Sequence, residues 1–369
     1  MNADKIIYQI ALTKIKGIGI ALARALMHAV GDEEAVFKES RKCLEKIPRI
    51  SPQLVDEIHN ATVMLEAEKE HAFIEKNNVR ALFFTDADYP QRLTNCVDAP
   101  ILLYDKGNTD FNRTKVVSIV GTRNATFHGR EFCEKLIYDI SKSCPDMLIV
   151  SGLAYGIDIC AHRASLQNNL STVGVLAHGL DRIYPYVHRK TAIEMLQNGA
   201  LLTEFPSNTN PDRFNFVKRN RIVAGMADAV IVVESGSKGG SLITADIANS
   251  YFREVFAVPG RTTDTESTGC NALIANNKAV LLQDSKGLFE QMGWGVSDAS
   301  GKPLQKELFV ELTEDEEKIF NVLNAEGEMQ VNMISMKLDV PVADLFFSLL
   351  ELEMKNIVKA LPGGMYRIM

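Results

Sequence analysis

Seven short apolar runs, separated by amphipathic segments, constrain the fold of this 369-residue chain more than any other feature. The runs are rich in β-branched residues and do not alternate with polar ones, a pattern typical of strands buried on both faces. They are Val116–Val120, Met147–Val150, Thr172–Ala177, Ala200–Thr203, Ala229–Val233, Val255–Val258 and Ala279–Leu282. Strands that alternate with helices in this rhythm predict an α/β fold with an extended Rossmann-like, doubly wound parallel sheet.

The flanking segments predict three further parts of the chain. Residues 1–80 show apolar residues at helical spacing and predict a helical domain. Residues 81–292 are predicted to form the Rossmann-like core, in which residues 81–113 extend the sheet. Residues 293–312 carry Gly, Ser, Asp and Pro and predict a linker. Residues 313–369 open with a capping box at Thr313-Glu314-Asp315-Glu316 and predict helices at 314–325, 330–338 and 341–355, then a hairpin, as in a winged-helix-like domain.

Residues 15–23 contain a helix-hairpin-helix pattern, Ile15-Lys16-Gly17-Ile18-Gly19-Ile20-Ala21-Leu22-Ala23. Two glycines permit a tight turn and leave the first N–H groups of the next helix free for a DNA phosphate. The partner hairpin, residues 47–51, lacks both glycines. Two roles are therefore possible for this small, SAM-like helical domain: it contacts DNA, or it serves packing or protein contact.

Net charge and cysteine usage limit the function classes. The net charge of −7 excludes a protein that coats nucleic acid with its whole surface, so any nucleic-acid site must be a local patch. The six cysteines are scattered without a CxxC pair, which favours free thiols in the reducing cytoplasm over a zinc site or a disulfide framework. We find neither a secretory signal pattern nor an apolar run of bilayer length and expect no membrane association.

The last domain is acidic, with five basic and ten acidic residues between 313 and 369 and a net charge of −5. A helix that reads duplex DNA would be repelled by phosphate on such a surface. This composition favours a role in protein contact.

Four loops at predicted carboxyl ends of strands predict an anion site, because ligands of open parallel sheets bind at that edge. Glycine lets an anion approach the backbone, and arginine offers a planar fork for phosphate. The candidate residues in these loops are Gly121, Thr122, Arg123, Ser151, Gly152, Gly179, Gly240, Ser241 and, one helical turn on, Thr244. No GxxxxGK[ST] motif occurs, and no GxGxxG follows the first strand, so we expect neither a nucleotide cofactor nor P-loop ATP hydrolysis. Asp158 and His162, one turn apart, lack a third ligand at suitable spacing and are interpreted as structural.

A basic segment with interleaved phenylalanines follows at residues 212–221. It contains four basic residues and one acidic residue. Single strands need stacking for their bases and positive charge for their backbone. The candidate residues are Lys218, Arg219, Asn220 and Arg221, and residues 219–221 are expected near a helix start. Phe216 is open to two interpretations, a core residue or a stacking platform.

Between residues 85 and 283 the sequence resembles the DprA/Smf family of DNA-processing proteins. The motifs that carry the resemblance are Tyr89-Pro90, Val120-Gly121-Thr122-Arg123, residues 150–158, Ala161-His162, Gly179-Leu180-Asp181 with Tyr184-Pro185, Glu204, residues 219–225, 240–245, 255–260 and 271–274. The resemblance implies a cytoplasmic, non-enzymatic homodimer that binds single-stranded DNA and loads the recombinase RecA in natural transformation or recombination. It further implies that Arg123 and residues 218–221 contact the strand.

The alternative is an enzyme of the lysine-decarboxylase-like group, which hydrolyses nucleotides on a Rossmann core. In that hypothesis Glu204 or Glu234 acts as a base on the glycosidic bond. The signature of that group, PGGxGTxxE, is absent from the chain, and residues 234–240 are only a loose match.

Overall fold

The computed structural model describes residues 3–295, 312–355, 357–361 and 363–368, and its contacts divide the chain into two compact units, residues 1–283 and 284–369. Most of the predicted linker, residues 296–311, lies outside the described residues. The domain boundaries predicted from the sequence stay predictions. No helix in the described ranges is long and apolar enough to cross a bilayer.

The first unit begins with a helical domain, as predicted. Its helices are α1 (Ala3–Lys14), α2 (Ile20–Val30), α3 (Glu33–Lys38), α4 (Arg41–Leu44), α5 (Pro52–Ile58) and α6 (Ala61–Lys76). Asp32, Ser51 and Asn60 cap α3, α5 and α6 by accepting hydrogen bonds from backbone N–H groups of the first turn. Glu70 of α6 accepts hydrogen bonds from the backbone N (2.8 Å) and Oγ (2.7 Å) of Ser207, which ties this domain to the core.

Among the described residues, nine strands form one sheet in the order β1-β2-β6-β5-β4-β3-β7-β8-β9. The strands are β1 (Arg80–Phe83), β2 (Leu102–Gly107), β3 (Val116–Val120), β4 (Leu148–Ser151), β5 (Ser171–Val175), β6 (Gly199–Thr203), β7 (Ala229–Val232), β8 (Glu254–Ala257) and β9 (Val280–Leu281). β3 to β9 are parallel and correspond to the seven predicted runs, while β1 and β2 add an antiparallel edge beside β6. The predicted fold class is confirmed.

Helices cover both faces of the sheet, which explains the continuous apolar runs of its strands. They are α7 (Gln91–Thr94), α8 (Phe127–Ser143), α9 (Ile157–Gln167), α10 (Arg189–Met195), α11 (Arg213–Gly225), α12 (Gly240–Ser250) and α13 (Thr268–Ala275). Every residue of β3, β4, β5, β6 and β7 is buried.

The second unit contains α14 (Ser285–Gln291), α15 (Glu314–Glu326), β10 (Met329–Gln330), α16 (Val331–Leu338), α17 (Val342–Met354), β11 (Val358–Leu361) and β12 (Met365–Ile368). In its described part, the strands pair antiparallel in the order β10-β12-β11. The predicted capping box is present, because Thr313 Oγ1 accepts from Glu316 N and Thr313 N donates to Glu316 Oε2. The three helices and the hairpin lie where the sequence predicts them, and the assignment as a winged helix stays a prediction.

Candidate single-stranded DNA site

The strand order of the sheet reverses at β3. From this strand the chain adds β4, β5 and β6 on one side, then crosses over to add β7, β8 and β9 on the other. Connections that leave a parallel sheet in opposite directions open a crevice at the carboxyl ends of the strands. A cavity of about 650 Å³ lies there. Nine of the thirteen candidate residues line it, namely Gly121, Thr122, Arg123, Gly152, Arg219, Asn220, Gly240, Ser241 and Thr244.

Close packing between loops explains the glycines at this edge. A Cβ atom at Gly121 would lie 2.5 Å from the side chain of Ile157, and one at Gly156, where φ is +78°, would lie 2.1 Å from the carbonyl oxygen of Thr122. The Thr122 backbone joins three loops, because its N donates to the carbonyl of Glu234 (2.7 Å) and its carbonyl accepts from Ile157 N (3.2 Å). This packing holds the exposed Arg123 at the rim of the cavity.

Phe216 occupies the centre of a stack of cationic and aromatic side chains. Its ring centroid lies 5.2 Å from the Arg123 Cζ, 5.9 Å from the Arg219 Cζ and 5.9 Å from the ring of Tyr184. A guanidinium over an aromatic face is held by the ring quadrupole. Phe216 is half-buried and Tyr184 is exposed, so both rings are accessible from the cavity that they line.

Arg219 is a buried cation in the cavity wall, with 4% of its surface exposed. Its Nη1 donates to the carbonyl of Val175 at 2.6 Å, and its guanidinium lies where a Cβ at Gly152 would stand. Burial lowers the pKa of Arg219, while the nearby Asp158 carboxylate raises it. Burial likewise raises the pKa of Asp158, and Arg219 lowers it. Burial outweighs this attraction, so the pKa of Arg219 is lowered overall and that of Asp158 is raised, although each charge partly stabilises the other.

The start of α12 provides backbone donors to the same cavity. Gly239 occupies the N-cap position without a side-chain cap hydrogen bond, and a Cβ at Gly240 would meet nothing within 4 Å. Ser241 Oγ donates to Ser235 Oγ at 2.8 Å, which links the start of the helix to the loop before it. The exposed Lys238 precedes this start and lines the cavity. The first N–H groups of a helix have no intrahelical acceptor, and the helix N-terminus carries a partial positive charge, so both can bind a phosphate.

Lys218 and Arg221 lie on another face of α11 and do not line this cavity. They line a second cavity of about 860 Å³, between the helical domain and the core. The Glu204 side chain, which is 8% exposed, accepts a hydrogen bond from Arg221 Nη2 and lies 3.1 Å from Lys218 Nζ. Arg221 Nη1 also donates to the carbonyl of Asp98 at 2.6 Å. Arg221 is therefore engaged inside the protein.

The helix start expected at residues 219–221 lies earlier in the chain. Asp212 caps α11 by accepting from Asn215 N at 2.9 Å, so the helix begins at Arg213. Residues 219–221 consequently sit in its second and third turns, and their side chains point in different directions around the axis. That expectation was wrong because the Asp212 cap was not recognised.

Two further candidate residues lie outside the cavity. Ser151 is fully buried, and its Oγ donates to the carbonyl of Ile119 at 2.6 Å. Gly179 N donates to the carbonyl of Thr209 at 3.2 Å, and a Cβ there would lie 2.4 Å from the carbonyl oxygen of Pro206. Both residues shape the strand ends without reaching the cavity.

The cavity also contains Tyr184, Arg213 and Lys238, which were not among the candidate residues. Lys238 belongs to one of the predicted glycine-rich anion loops, so its positive charge could have identified it from the sequence. Tyr184 comes from the connection between β5 and α10, and only the tertiary fold brings it to Phe216.

The carboxylates proposed as bases in the enzyme hypothesis are held by structural contacts. Glu234 accepts hydrogen bonds from the N (2.9 Å) and Oγ1 of Thr126, at the start of α8. Glu204 is paired with Lys218 and Arg221 as described above. Neither residue lines the cavity at the sheet edge.

The helix-hairpin-helix pattern folds as its glycines predict. Gly17 adopts φ +91°, and α2 starts after Gly19, which makes no side-chain cap hydrogen bond. In the partner hairpin Arg49 adopts φ +72°, a left-handed conformation that usually favours glycine. Gly19 and Arg49 both line the second cavity.

Comparison with known proteins assigns the core. The model of the family "DNA recombination-mediator protein A" matches residues 80–293, more than half of the chain. The chain belongs to this family, that of the DprA and Smf proteins. A second model, a SAM-like helix-hairpin-helix tandem, matches residues 10–62 and confirms the type of the helical domain. The family match covers every candidate residue of the DprA-like core.

Relatives and solved structures agree with this assignment. The chain is 35% identical to the Smf protein of Synechocystis over 286 residues, which are 76% of this chain and 71% of that one. It is 33% identical to Escherichia coli Smf over 309 residues, 82% of this chain and 80% of that one. The crystal structure of Streptococcus pneumoniae DprA superposes with a TM-score of 0.61 at 30% identity, covering 79% of this chain and 98% of that one. A Helicobacter pylori DprA structure, described for its single-stranded DNA binding mode, gives 0.52 at 30% identity, covering 57% and 94%.

Proposed function

We propose that this DprA/Smf family member binds single-stranded DNA in the cavity at the sheet edge and acts as a recombination mediator. The observation that carries the proposal is the juxtaposition of Arg123, Phe216 and the uncapped start of α12 around one cavity. A single strand presents unstacked bases and a continuous anionic backbone, and this cavity offers an aromatic face and phosphate donors side by side.

Stacking favours a single strand over a duplex. In a duplex both faces of each base are covered by neighbouring bases, so the rings of Phe216 and Tyr184 have no base face to contact. In a single strand a base stacks on an aromatic ring at a gain of about 1–3 kcal/mol, with little dependence on its identity. Arg123, Lys238 and the α12 start then hold the phosphates on either side.

The role within the family extends this proposal to assembly. We propose that two copies form a homodimer whose two cavities hold one strand, and that this complex loads RecA during transformation or recombination in the cytoplasm. We further propose that the chain is not an enzyme. This part is supported by Glu204 and Glu234, since both carboxylates have structural partners.

Salt-dependent binding tests the site. Fluorescence anisotropy with labelled oligo-dT should show that the logarithm of the binding constant falls linearly with the logarithm of the salt concentration. Arg123→Ala should reduce the magnitude of that slope by about 0.7, the value for one phosphate contact on a single strand. Arg189→Ala removes an exposed arginine at the start of α10 that lines neither cavity, and it serves as the matched control. Equal slopes for both variants would refute the site.

The mediator role needs a separate assay. We expect the wild-type chain to accelerate the DNA-dependent ATPase of RecA from the same host on a single strand coated with SSB protein. Sedimentation of the chain alone measures whether it dimerises. Strand binding without any stimulation of RecA would leave the DNA site in place and contradict the loading proposal.

A further inference from the structure

The helix α17 of the second unit is apolar on two faces. One face belongs to the core of this unit, where Leu345, Leu349 and Leu352 pack with Ile319, Leu323 and Ile334. The other face carries Phe346, Phe347, Leu350 and Met354, each of which is more than half exposed. A surface helix normally has one apolar stripe, which faces the core, so a second apolar stripe that is exposed calls for a partner.

The exposed side chains of α17 form one stripe. Phe346, Leu350 and Met354 follow each other at intervals of four residues, and Phe347 lies three residues before Leu350, so all four share a side of the helix. Side chains at intervals of four form a ridge that packs into the groove of a second helix. The neighbouring α16 adds the exposed Met333 and Met336, and methionine adapts to irregular apolar partners.

The charges around this stripe indicate the charge of its partner. α17 contains Asp344, Glu351 and Glu353 and no lysine or arginine. Elsewhere in the unit, Lys318 pairs with Asp315 and Lys337 with Glu326. Three of the five basic residues between 313 and 369 are held in internal ion pairs, since Lys355 pairs with Glu316. Each pair neutralises one acidic residue as well, so the net charge of −5 over residues 313–369 remains as an excess of negative charge.

We propose that the exposed face of α17 is a docking surface for an amphipathic, basic helix of a protein partner. The apolar stripe of that helix packs on Phe347 and Leu350, and its flanking lysines and arginines face the acidic residues of α17. A second copy of this chain is disfavoured as the occupant, because two copies of the acidic segment 313–369, each of net charge −5, would meet. Nucleic acid is disfavoured for the same reason. The proposal is independent of the DNA site in the core.

A labelled 14-residue peptide tests the surface with the full-length chain. The peptide contains only leucine and lysine, with leucines at helical spacing; one control has the same composition in scrambled order, and another has glutamate in place of lysine. Binding is measured by fluorescence anisotropy. We expect the amphipathic basic peptide to bind and both controls to bind at least tenfold more weakly. A scrambled peptide that binds equally well would show a purely electrostatic surface and overturn the proposal.

Variants of the chain locate the binding. Phe347→Ser with Leu350→Ser removes the apolar stripe at constant charge and should weaken the peptide at least tenfold, while oligo-dT binding is unchanged. Phe252→Ser removes a phenylalanine of the first unit that is even more exposed, at 88% against 68% for Phe347, and should not change peptide binding. If the double variant loses the helical signal in circular dichroism and is therefore unfolded, Met354→Ser repeats the test at the end of the helix. Peptide binding that survives these changes, or self-association of the chain that Phe347→Ser abolishes, would overturn the proposal.

Discussion

Replacing Arg221 by alanine separates a structural role of this residue from the DNA contact that the sequence implies. Its guanidinium donates to Glu204 and to the carbonyl of Asp98, and its side chain is only 12% exposed. The substitution leaves the Glu204 carboxylate, 8% exposed, without its principal partner. We therefore expect Arg221→Ala to lower the stability of the first unit.

The geometry sets the size of this loss. Removing one partner of a buried ion pair costs about 3–5 kcal/mol, because the other charge stays buried and unpaired. Lys218 Nζ remains 3.1 Å from the same Glu204 oxygen and compensates for part of the loss. The low end, about 3 kcal/mol of unfolding free energy, is thus expected. Replacing Arg221 and Glu204 together by methionine should recover most of it, since no buried charge is then stranded.

Urea denaturation with two signals measures this prediction. Far-UV circular dichroism follows both units, whereas Trp294, the single tryptophan, reports the second unit. In Arg221→Ala the transition of the first unit should move to lower urea, and the fluorescence transition should stay in place. Oligo-dT binding of the folded variant should change less than about twofold, which corresponds to about 0.4 kcal/mol. A stability loss below about 1 kcal/mol together with tenfold weaker DNA binding would show that Arg221 is a DNA contact.

Three more substitutions test the site and the second unit. Gly152→Ala places a Cβ 2.0 Å from Arg219 Nη1 and should destabilise the first unit by about 1–3 kcal/mol, measured by thermal unfolding. Phe216→Leu removes the ring between the guanidinium groups and should weaken oligo-dT binding by about 1–3 kcal/mol without changing its salt slope, measured by anisotropy. Burial raises the pKa of Glu316, but hydrogen bonds from Lys355 and from the preceding N-cap residue outweigh it and lower the pKa overall. The contribution of Glu316 to stability is thus present above the ordinary pKa of about 4.3 and is lost as the pH falls below it. Glu316→Gln should therefore flatten the acid limb, which is the fall in stability of the second unit at low pH, as followed by tryptophan fluorescence.

Each of these tests has its own control. Gly240→Ala adds a Cβ that meets nothing within 4 Å, so unchanged stability there and reduced stability at Gly152 would isolate the clash. Phe214→Leu alters a neighbouring, 84% exposed ring of α11, and equal losses at Phe214 and Phe216 would argue against a specific platform. An acid limb that Glu316→Gln leaves unaltered would contradict the role of the Lys355 pair.

Several features of the fold were predictable because their cause is local in the sequence. A strand covered on both faces is mostly apolar on both, and each of the seven runs shows this composition, with Ser118, Thr172 and Thr203 as buried polar exceptions. The Thr313 and Glu316 capping box is likewise complete within four residues. Gly121 and Gly152 follow their strands directly, and Gly240 begins the helix after β7, so their convergence on one edge follows from the parallel topology.

The division of the cations in α11 was decided by the tertiary structure. Lys218, Arg219 and Arg221 are almost contiguous in the sequence, yet a helix turns by about 100° per residue, so neighbours face different surroundings. Arg219 faces Asp158 and the Gly152 loop, and Arg221 faces Glu204 from the end of β6. The sequence by itself determined the parallel sheet and its glycine-rich edge. Which positive charges remain available there depends on distant carboxylates, which reach them only when the chain is folded.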